Sequence, residues 1–137
     1  MKLVLAIGER SAERLKRHVG SVTPDSSDAQ DGVRGRDPVS GLPREVEVTS
    51  EELREALEAQ VVDIVEAVTG TLEQTPPELA SDLTERGLLL AGGGGLLRGL
   101  KERLEAETQL TVELADDPLA CVALGAGQAL DEIETLE

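Results

Sequence analysis

The chain has 137 residues, of which 28 are acidic and 13 basic, and its formal net charge is −15. A surface this acidic repels nucleic-acid backbones and anionic lipid, so the charge argues against nucleic acid as a partner and against direct membrane binding. The chain has no aromatic residue, one cysteine and one histidine, so the core must be aliphatic, an internal disulfide is excluded, and a zinc site has almost no material.

The N-terminal region predicts one short apolar segment and one helix. Residues 3–7 form an apolar run closed by Gly8, which is either a buried strand or the end of a buried helix and is too short for a signal peptide or a membrane span. A helix is predicted over about residues 9–18. Its apolar stripe consists of Ala12, Leu15 and Val19. The polar stretch 23–32 predicts a loop.

A β-hairpin and a long helix are predicted next. Residues 33–36 are a weak strand candidate, and the alternating residues 45–49 are a better one. Proline and glycine between them favour a turn. The strongest helical pattern runs from about residue 50 to 74, and Thr49 with Glu52 matches the capping-box pattern at its start.

A second, shorter helix follows a Pro-Pro pair. Thr75 and Glu78 repeat the capping-box spacing. Leu79 and Leu83 are predicted to pack inward, and Gly87 is predicted to end the helix.

The last third of the chain predicts a strand–helix–strand unit. A buried strand over 88–91 runs into four glycines at 92–95, a helix follows over about 96–106, and a second strand occupies 111–114. A unit of this length implies parallel pairing of the two strands. A final helix begins at an N-cap within 116–118. Its apolar side consists of Leu119, Val122, Ala123, Ala126, Leu130 and Ile133.

The four glycines are the strongest functional signal. A backbone without Cβ atoms can turn sharply and lie close to a ligand, and ligands of open α/β sheets bind at the carboxyl ends of strands. No Gly-Lys-Ser/Thr follows, so the segment is not a P-loop, and it fits the dinucleotide fingerprint poorly. The segment is therefore either a tight structural turn or a backbone surface for a flat or phosphorylated ligand.

The first helix offers a second candidate surface. The carboxylate of Glu13 could accept hydrogen bonds from ribose hydroxyls, and the cations Arg14 and Lys16 could lie over an adenine ring or near phosphate. The alternative is a solvated charged helix face. The sequence pattern alone leaves both interpretations open.

Taken together, the segments resemble the MreB family of bacterial actin-like proteins. The matching stretches occur in the family's order and cover nearly the whole chain. They are IGERSAERLK at 7–16, VRGRD at 33–37, TPPELA at 75–80, RGLLLAGGGGLLRGL at 86–100 and DPLACVALG at 117–125. The family has alanine where this chain has Gly95, which is a mild departure.

The resemblance implies the fold. It is the C-terminal part of an actin-like fold, an α/β class that includes the ribonuclease H-like and heat-shock-protein-70 ATPases, with a small inserted α+β subdomain. Residues 1–20 and 75–137 would belong to the large adenosine-binding subdomain, and residues 21–74 would form the small inserted one. The resemblance also implies that residues 1–7 are the tail of a helix.

It implies the site as well. The residues that would contact the nucleoside of ATP are Glu13, Arg14, Leu15, Lys16, Gly93, Gly94, Gly95 and Leu96. The family's two phosphate-binding loops match nothing in this chain, so we expect Mg²⁺ to bind only through the nucleotide, and we expect hydrolysis by this chain alone to be absent or very weak.

The resemblance finally implies a role in cell-shape determination. We expect a truncated family member that is cytoplasmic, assembles with itself or with full-length filaments, contacts the cell-wall synthesis machinery, and reaches the membrane only indirectly. Two alternatives remain at this point. One is a nucleotide-free module that caps or modulates the filaments of a relative, and the other is a small α/β enzyme, which the lack of a nucleophile, base or metal cluster disfavours.

Overall fold

The computed structural model describes residues 5–24 and 29–132, and the predicted α/β class is confirmed. Predictions for residues 1–4, 25–28 and Ile133 lie outside this part of the chain. Within it, no helix combines the length and apolar character that a membrane span requires. In chain order the elements are α1 (Glu9–His18), β1 (Gln30–Arg36), β2 (Pro43–Thr49), α2 (Ser50–Glu73), α3 (Pro77–Arg86), β3 (Leu88–Leu90), a 3₁₀ helix (Gly93–Leu96), α4 (Leu100–Thr108), β4 (Val112–Leu114) and α5 (Cys121–Asp131).

The segment before α1 is extended. Ala6 exchanges two backbone hydrogen bonds of 2.9 Å with Arg36 at the end of β1. The helix tail implied by the resemblance is therefore wrong for residues 5–7, because the edge of β1 offers backbone partners that a helix would not use. α1 has the predicted bounds, and in its stripe Leu15 and Val19 are buried while Ala12 is exposed.

The predicted hairpin is confirmed. β1 and β2 pair antiparallel from Gln30 opposite Thr49 to Arg36 opposite Pro43. β1 begins at Gln30 rather than at Val33, so the loop prediction is wrong for residues 30–32. The cause is cross-strand pairing with β2, which extends the ladder beyond the residues that favour a strand by themselves.

Of the two predicted capping boxes, one forms. The backbone N–H of Glu52 donates to Thr49 Oγ1 at 3.3 Å, and the Thr49 N–H donates to Glu52 Oε2 at 3.0 Å. The second box is wrong: Thr75 Oγ1 donates to the Thr71 carbonyl at 2.8 Å, at the end of α2. The N-cap of α3 is Pro76, which has no side-chain donor or acceptor.

α2 and α4 form the larger core with β4 and the segment after α1. Its buried members are Val22, Val61, Val65, Leu100, Leu104 and Val112. Arg103 of α4 donates to Glu58 of α2 at 3.1 Å and to Glu107 at 3.0 Å, and these carboxylates raise its pKa. A smaller core of Leu15, Val19 and Val33 joins α1 to the hairpin.

β3 and β4 pair in parallel, as predicted, with Leu88 opposite Val112. The prediction that β3 is buried is wrong, since Leu89 is 69% exposed. The inward packing predicted for Leu79 is also wrong, because that side chain is 54% exposed and α3 has no buried residue. Similarly, α5 has no buried residue, and Leu130 on its predicted apolar side is 71% exposed. The described residues do not cover these faces.

The helices of the last third begin later than predicted. α4 starts at Leu100, after the 3₁₀ helix and after Gly99, whose φ of 83° is left-handed. α5 starts at Cys121. The cap predicted near residues 116–118 lies in the turn before it, where Asp117 Oδ1 accepts the Ala120 N–H at 3.2 Å.

Candidate functional site

The glycine segment is a turn pressed between a strand pair and a second turn. Gly92 has a φ of 81° and donates its N–H to the Pro118 carbonyl at 2.5 Å. A Cβ on Gly95 would lie 3.1 Å from Leu114 of β4, so Gly95 packs against the sheet. A Cβ on Gly94 would meet no atom within 4 Å. Gly94 therefore presents bare backbone to open space.

That space is a cleft between the glycine segment and α1. Its volume is about 570 Å³. The residues that line it are Glu13, Lys16, Arg17, Gly20, Gly93, Gly94, Leu96, Leu97, Arg98 and Leu119. Two segments about 80 positions apart in the chain thus form the two walls of one concave surface, which is the usual form of a small-molecule site.

The structure brings most of the predicted site residues together. Those that line the cleft are Glu13, Lys16, Gly93, Gly94 and Leu96. The others face elsewhere. Arg14 donates to the Gly32 carbonyl at 2.7 Å, Leu15 is 3% exposed in the smaller core, and Gly95 packs on the sheet.

Several cleft residues were missed from the sequence. They are Arg17, Gly20, Leu97, Arg98 and Leu119. Arg17 could have been predicted from the sequence, since it follows Glu13 by one helical turn and shares its face. Leu119 carries no such signal, because it reaches the cleft through the turn that precedes α5 and packs near Gly93.

The cleft is more positive than the rest of this acidic chain. Lys16 forms an ion pair of 2.6 Å with Glu13, so these two charges offset each other. Arg17 is exposed and has no ion pair within the described residues. Leucine side chains on the opposite wall add an apolar surface. This combination suits a ligand with a flat apolar part and an anionic part.

The described residues contain no cluster of His, Cys, Asp or Glu that could hold a metal ion. At the cleft, the side chains offer a hydrogen-bond acceptor and cations, and the glycines offer backbone surface. This arrangement can bind and orient a ligand.

Comparisons with known proteins give matches over nearly the whole chain. A family model described as MreB/Mbl protein matches residues 1–137. The cell shape-determining protein Mbl of Bacillus subtilis is 47% identical over 132 residues, which are 96% of this chain and 40% of that protein. The cell shape-determining protein MreB of Escherichia coli is 49% identical over 128 residues, 93% of this chain and 37% of that protein. This chain thus spans about 40% of the length of such relatives.

Solved structures show the same likeness. The crystal structure of MreB 5 of Spiroplasma citri bound to AMPPNP superposes with a TM-score of 0.90 at 37% identity, over 96% of this chain and 39% of that chain. The MamK double helical filament gives a TM-score of 0.61 at 25% identity, over 83% of this chain and 34% of that chain. The expected fold, part of an actin-like α/β fold, is confirmed.

Proposed function

The chain belongs to the MreB/Mbl family, and we propose that the cleft between α1 and the glycine segment binds the adenosine part of ATP. The observation that carries this proposal is the meeting of Glu13 and Lys16 with Gly93 and Gly94 around one open volume of about 570 Å³. The AMPPNP-bound state of the similar MreB 5 structure supports it.

Each wall has a distinct role in this proposal. Glu13 accepts hydrogen bonds from the ribose hydroxyls, while its ion pair with Lys16 holds the carboxylate in place. The bare backbone of Gly93 and Gly94 lies against the purine face, where a side chain would stand in the way. Arg17 supplies a positive charge for the phosphates. Mg²⁺ reaches the site only with the nucleotide.

The proposed role is that of a cell-shape-determining cytoskeletal protein in the cytoplasm. The names of the Mbl and MreB relatives support this role, and the filament of MamK supports assembly with itself or with a full-length relative. Contact with the cell-wall synthesis machinery, and with the membrane through filaments, belongs to the same proposal. We expect ATP hydrolysis by this chain alone to be absent or very weak, since the adenosine side positions no attacking water.

A substitution that fills the cleft tests the proposal. Gly94→Leu places a side chain in open space without meeting protein atoms near its Cβ, so the fold should persist. We expect the dissociation constant of a fluorescent ATP analogue to rise at least about tenfold. Gly70→Leu in α2 is the matched control, because its Cβ also meets nothing within 4 Å and Gly70 lies outside the cleft.

Two results would contradict the proposal. One is the absence of saturable binding of the analogue to the unmodified chain, and the other is equal affinity of the Gly94→Leu and Gly70→Leu variants. Circular dichroism melts of both variants show whether the fold is intact. A titration repeated with a chelator should give nearly the same affinity, because no residue of the cleft is proposed to bind Mg²⁺.

A second candidate function is favoured by the uncovered apolar faces of β3 and α5. Leu89, Val122 and Leu130 are each at least 69% exposed, and large apolar side chains left uncovered are candidates for a protein-binding surface. In this candidate the chain binds filaments of a full-length relative and caps or modulates them without nucleotide. Co-sedimentation with such a relative tests it, and unchanged polymer mass at equimolar addition would count against it.

A further inference from the structure

Arg98 connects the two walls of the cleft. It follows the glycine segment and lines the cleft itself. Its Nε donates to the Gly20 carbonyl and its Nη2 to the Val19 carbonyl, both at 3.3 Å. These two carbonyls lie at the end of α1, so one guanidinium group reaches from one wall to the other. We propose that Arg98 is a positioning residue that sets the spacing between the walls, an inference that rests on the proposed adenosine site.

The backbones of the two walls also meet at this point. The Val22 N–H donates to the Arg98 carbonyl at 2.7 Å, and Ser21 forms a parallel β-bridge with Arg98. The next residue, Gly99, lies so close to Thr23 that a Cβ there would overlap it. The junction is therefore compact, and Ser21 within it is fully buried. A small change at Arg98 should be transmitted directly to the α1 wall.

The chemistry of the two acceptors explains why an arginine suits this position. Carbonyls at the C-terminal end of a helix have no partner within the helix and lie at the negative end of its dipole; Val19 is the C-cap of α1, and Gly20 follows it. A guanidinium presents several N–H donors in a rigid planar fork, so one side chain can serve both carbonyls with a fixed geometry. Val19 is 1% exposed, so water cannot easily take the place that Arg98 leaves at its carbonyl, which would keep only its bond from Ser50 Oγ at 2.7 Å.

Ser50 offers a matched comparison. Its Oγ donates to the same Val19 carbonyl at 2.7 Å, but from α2 rather than from the glycine wall. Ser50 does not line the cleft. A purely structural bond at this carbonyl should therefore affect stability when it is lost, whereas the bond from Arg98 should also affect the distance between the walls.

A distance measurement tests the inference directly. Spin labels are attached at Arg10→Cys on α1 and Glu102→Cys on α4, both exposed in this structure, in a Cys121→Ser background. We expect one narrow distance in the parent. Arg98→Ala should give a longer or broader distribution and should raise the dissociation constant of the fluorescent ATP analogue about tenfold. Ser50→Ala should lower the melting temperature without changing the distance or the affinity.

Arg86→Ala, at the exposed end of α3, controls for the loss of one positive charge and should leave the distance and the affinity unchanged. If Arg98→Ala does not fold, Arg98→Met keeps the aliphatic stem and is measured instead. An unchanged distance distribution in the folded Arg98 variant overturns the inference, as does an equal loss of affinity in Ser50→Ala. Absence of nucleotide binding by the parent refutes the proposed function, while the label distance still decides the role of Arg98.

Discussion

Two regions of the molecule both contain apolar residues at helical or strand spacing but differ in what covers them. In the inner region, formed by α1, the hairpin, α2 and α4, each element buries at least one apolar side chain: Val33 is 3% exposed, Val61 2% and Leu104 1%. In the outer region, formed by α3, β3 and α5, Leu89 and Leu130 are 69% and 71% exposed. An amphipathic pattern thus predicts which face of an element is apolar, whereas the burial of that face requires a second surface.

The largest expected effect is on the free energy of unfolding, where the same leucine-to-alanine substitution should give different losses in the two regions. Leu104→Ala removes a buried side chain of α4 and should lower the free energy of unfolding by about 2–5 kcal/mol, from lost burial and the cavity left behind. Leu130→Ala on α5 should change it by less than about 0.5 kcal/mol, because that side chain is already exposed. Urea unfolding followed by circular dichroism measures both. Equal losses would show that α5 is buried in solution, for example in an oligomer.

Two glycine-to-alanine substitutions should change the stability of the fold in opposite directions. Gly99→Ala should destabilise the fold by about 1–3 kcal/mol, because φ is 83° and the added Cβ would overlap Thr23. Gly125→Ala in α5 meets no neighbouring atom and should stabilise it by about 0.4–1 kcal/mol. Thermal unfolding of the two variants gives the comparison. A neutral Gly99→Ala variant would mean that the junction with Thr23 is loose.

Alanine substitutions at the two threonines predicted to cap helices should have smaller effects on the free energy of unfolding, and the two effects should differ. Thr49→Ala removes the acceptor for the Glu52 N–H and should cost about 1 kcal/mol. Thr75→Ala removes a hydroxyl that bonds back to the Thr71 carbonyl and should cost less than about 0.5 kcal/mol. The two variants are compared by urea unfolding. Similar losses would indicate that the second capping box forms in solution.

The smallest effect concerns the hairpin turn. The N–H of Val39 donates to Asp37 Oδ1 at 2.8 Å and is the main cause that lowers the pKa of Asp37 from its ordinary value of 3.8. Because the pKa of Asp37 is lower in the folded chain, its ionised carboxylate stabilises the turn fully above the ordinary value of 3.8. That stabilisation is lost as the pH falls through the folded-state pKa. Amide hydrogen exchange at Val39 should accelerate in that acidic range relative to amides of α2. Asp37→Asn should lack this dependence, and an equal response in both would refute it.

Prediction from the sequence succeeded mainly where the signal is local, with the exception of the capping box at Thr75, which is local and does not form. The bounds of α1, the capping box at Thr49, and the identity and order of the elements follow from residues close together in the chain. It failed where a distant segment decides the outcome. Ala6 is extended because β1 pairs with it, and β1 begins at Gln30 because β2 is opposite.

The candidate site shows the same division. The glycines and the charged face of α1 were identified from residue type and from family resemblance. Leu15 and Arg14 share a helix with Glu13 but point to the core and to the hairpin, and their direction follows from the packing of α1 against β1. Leu119 and Arg98 enter the cleft from segments for which no local pattern indicates a ligand.

The sequence by itself determined the elements, the apolar composition of the core and the chemistry available at the glycine turn, because dihedral preference and periodicity act over one or two turns of chain. The family resemblance assigned α1 and the glycine segment to one site, but only the tertiary structure decided which of their residues line the cleft, that Arg98 joins them, and that β3 and α5 keep leucines exposed. The reason is that burial and proximity depend on pairs of surfaces distant in sequence.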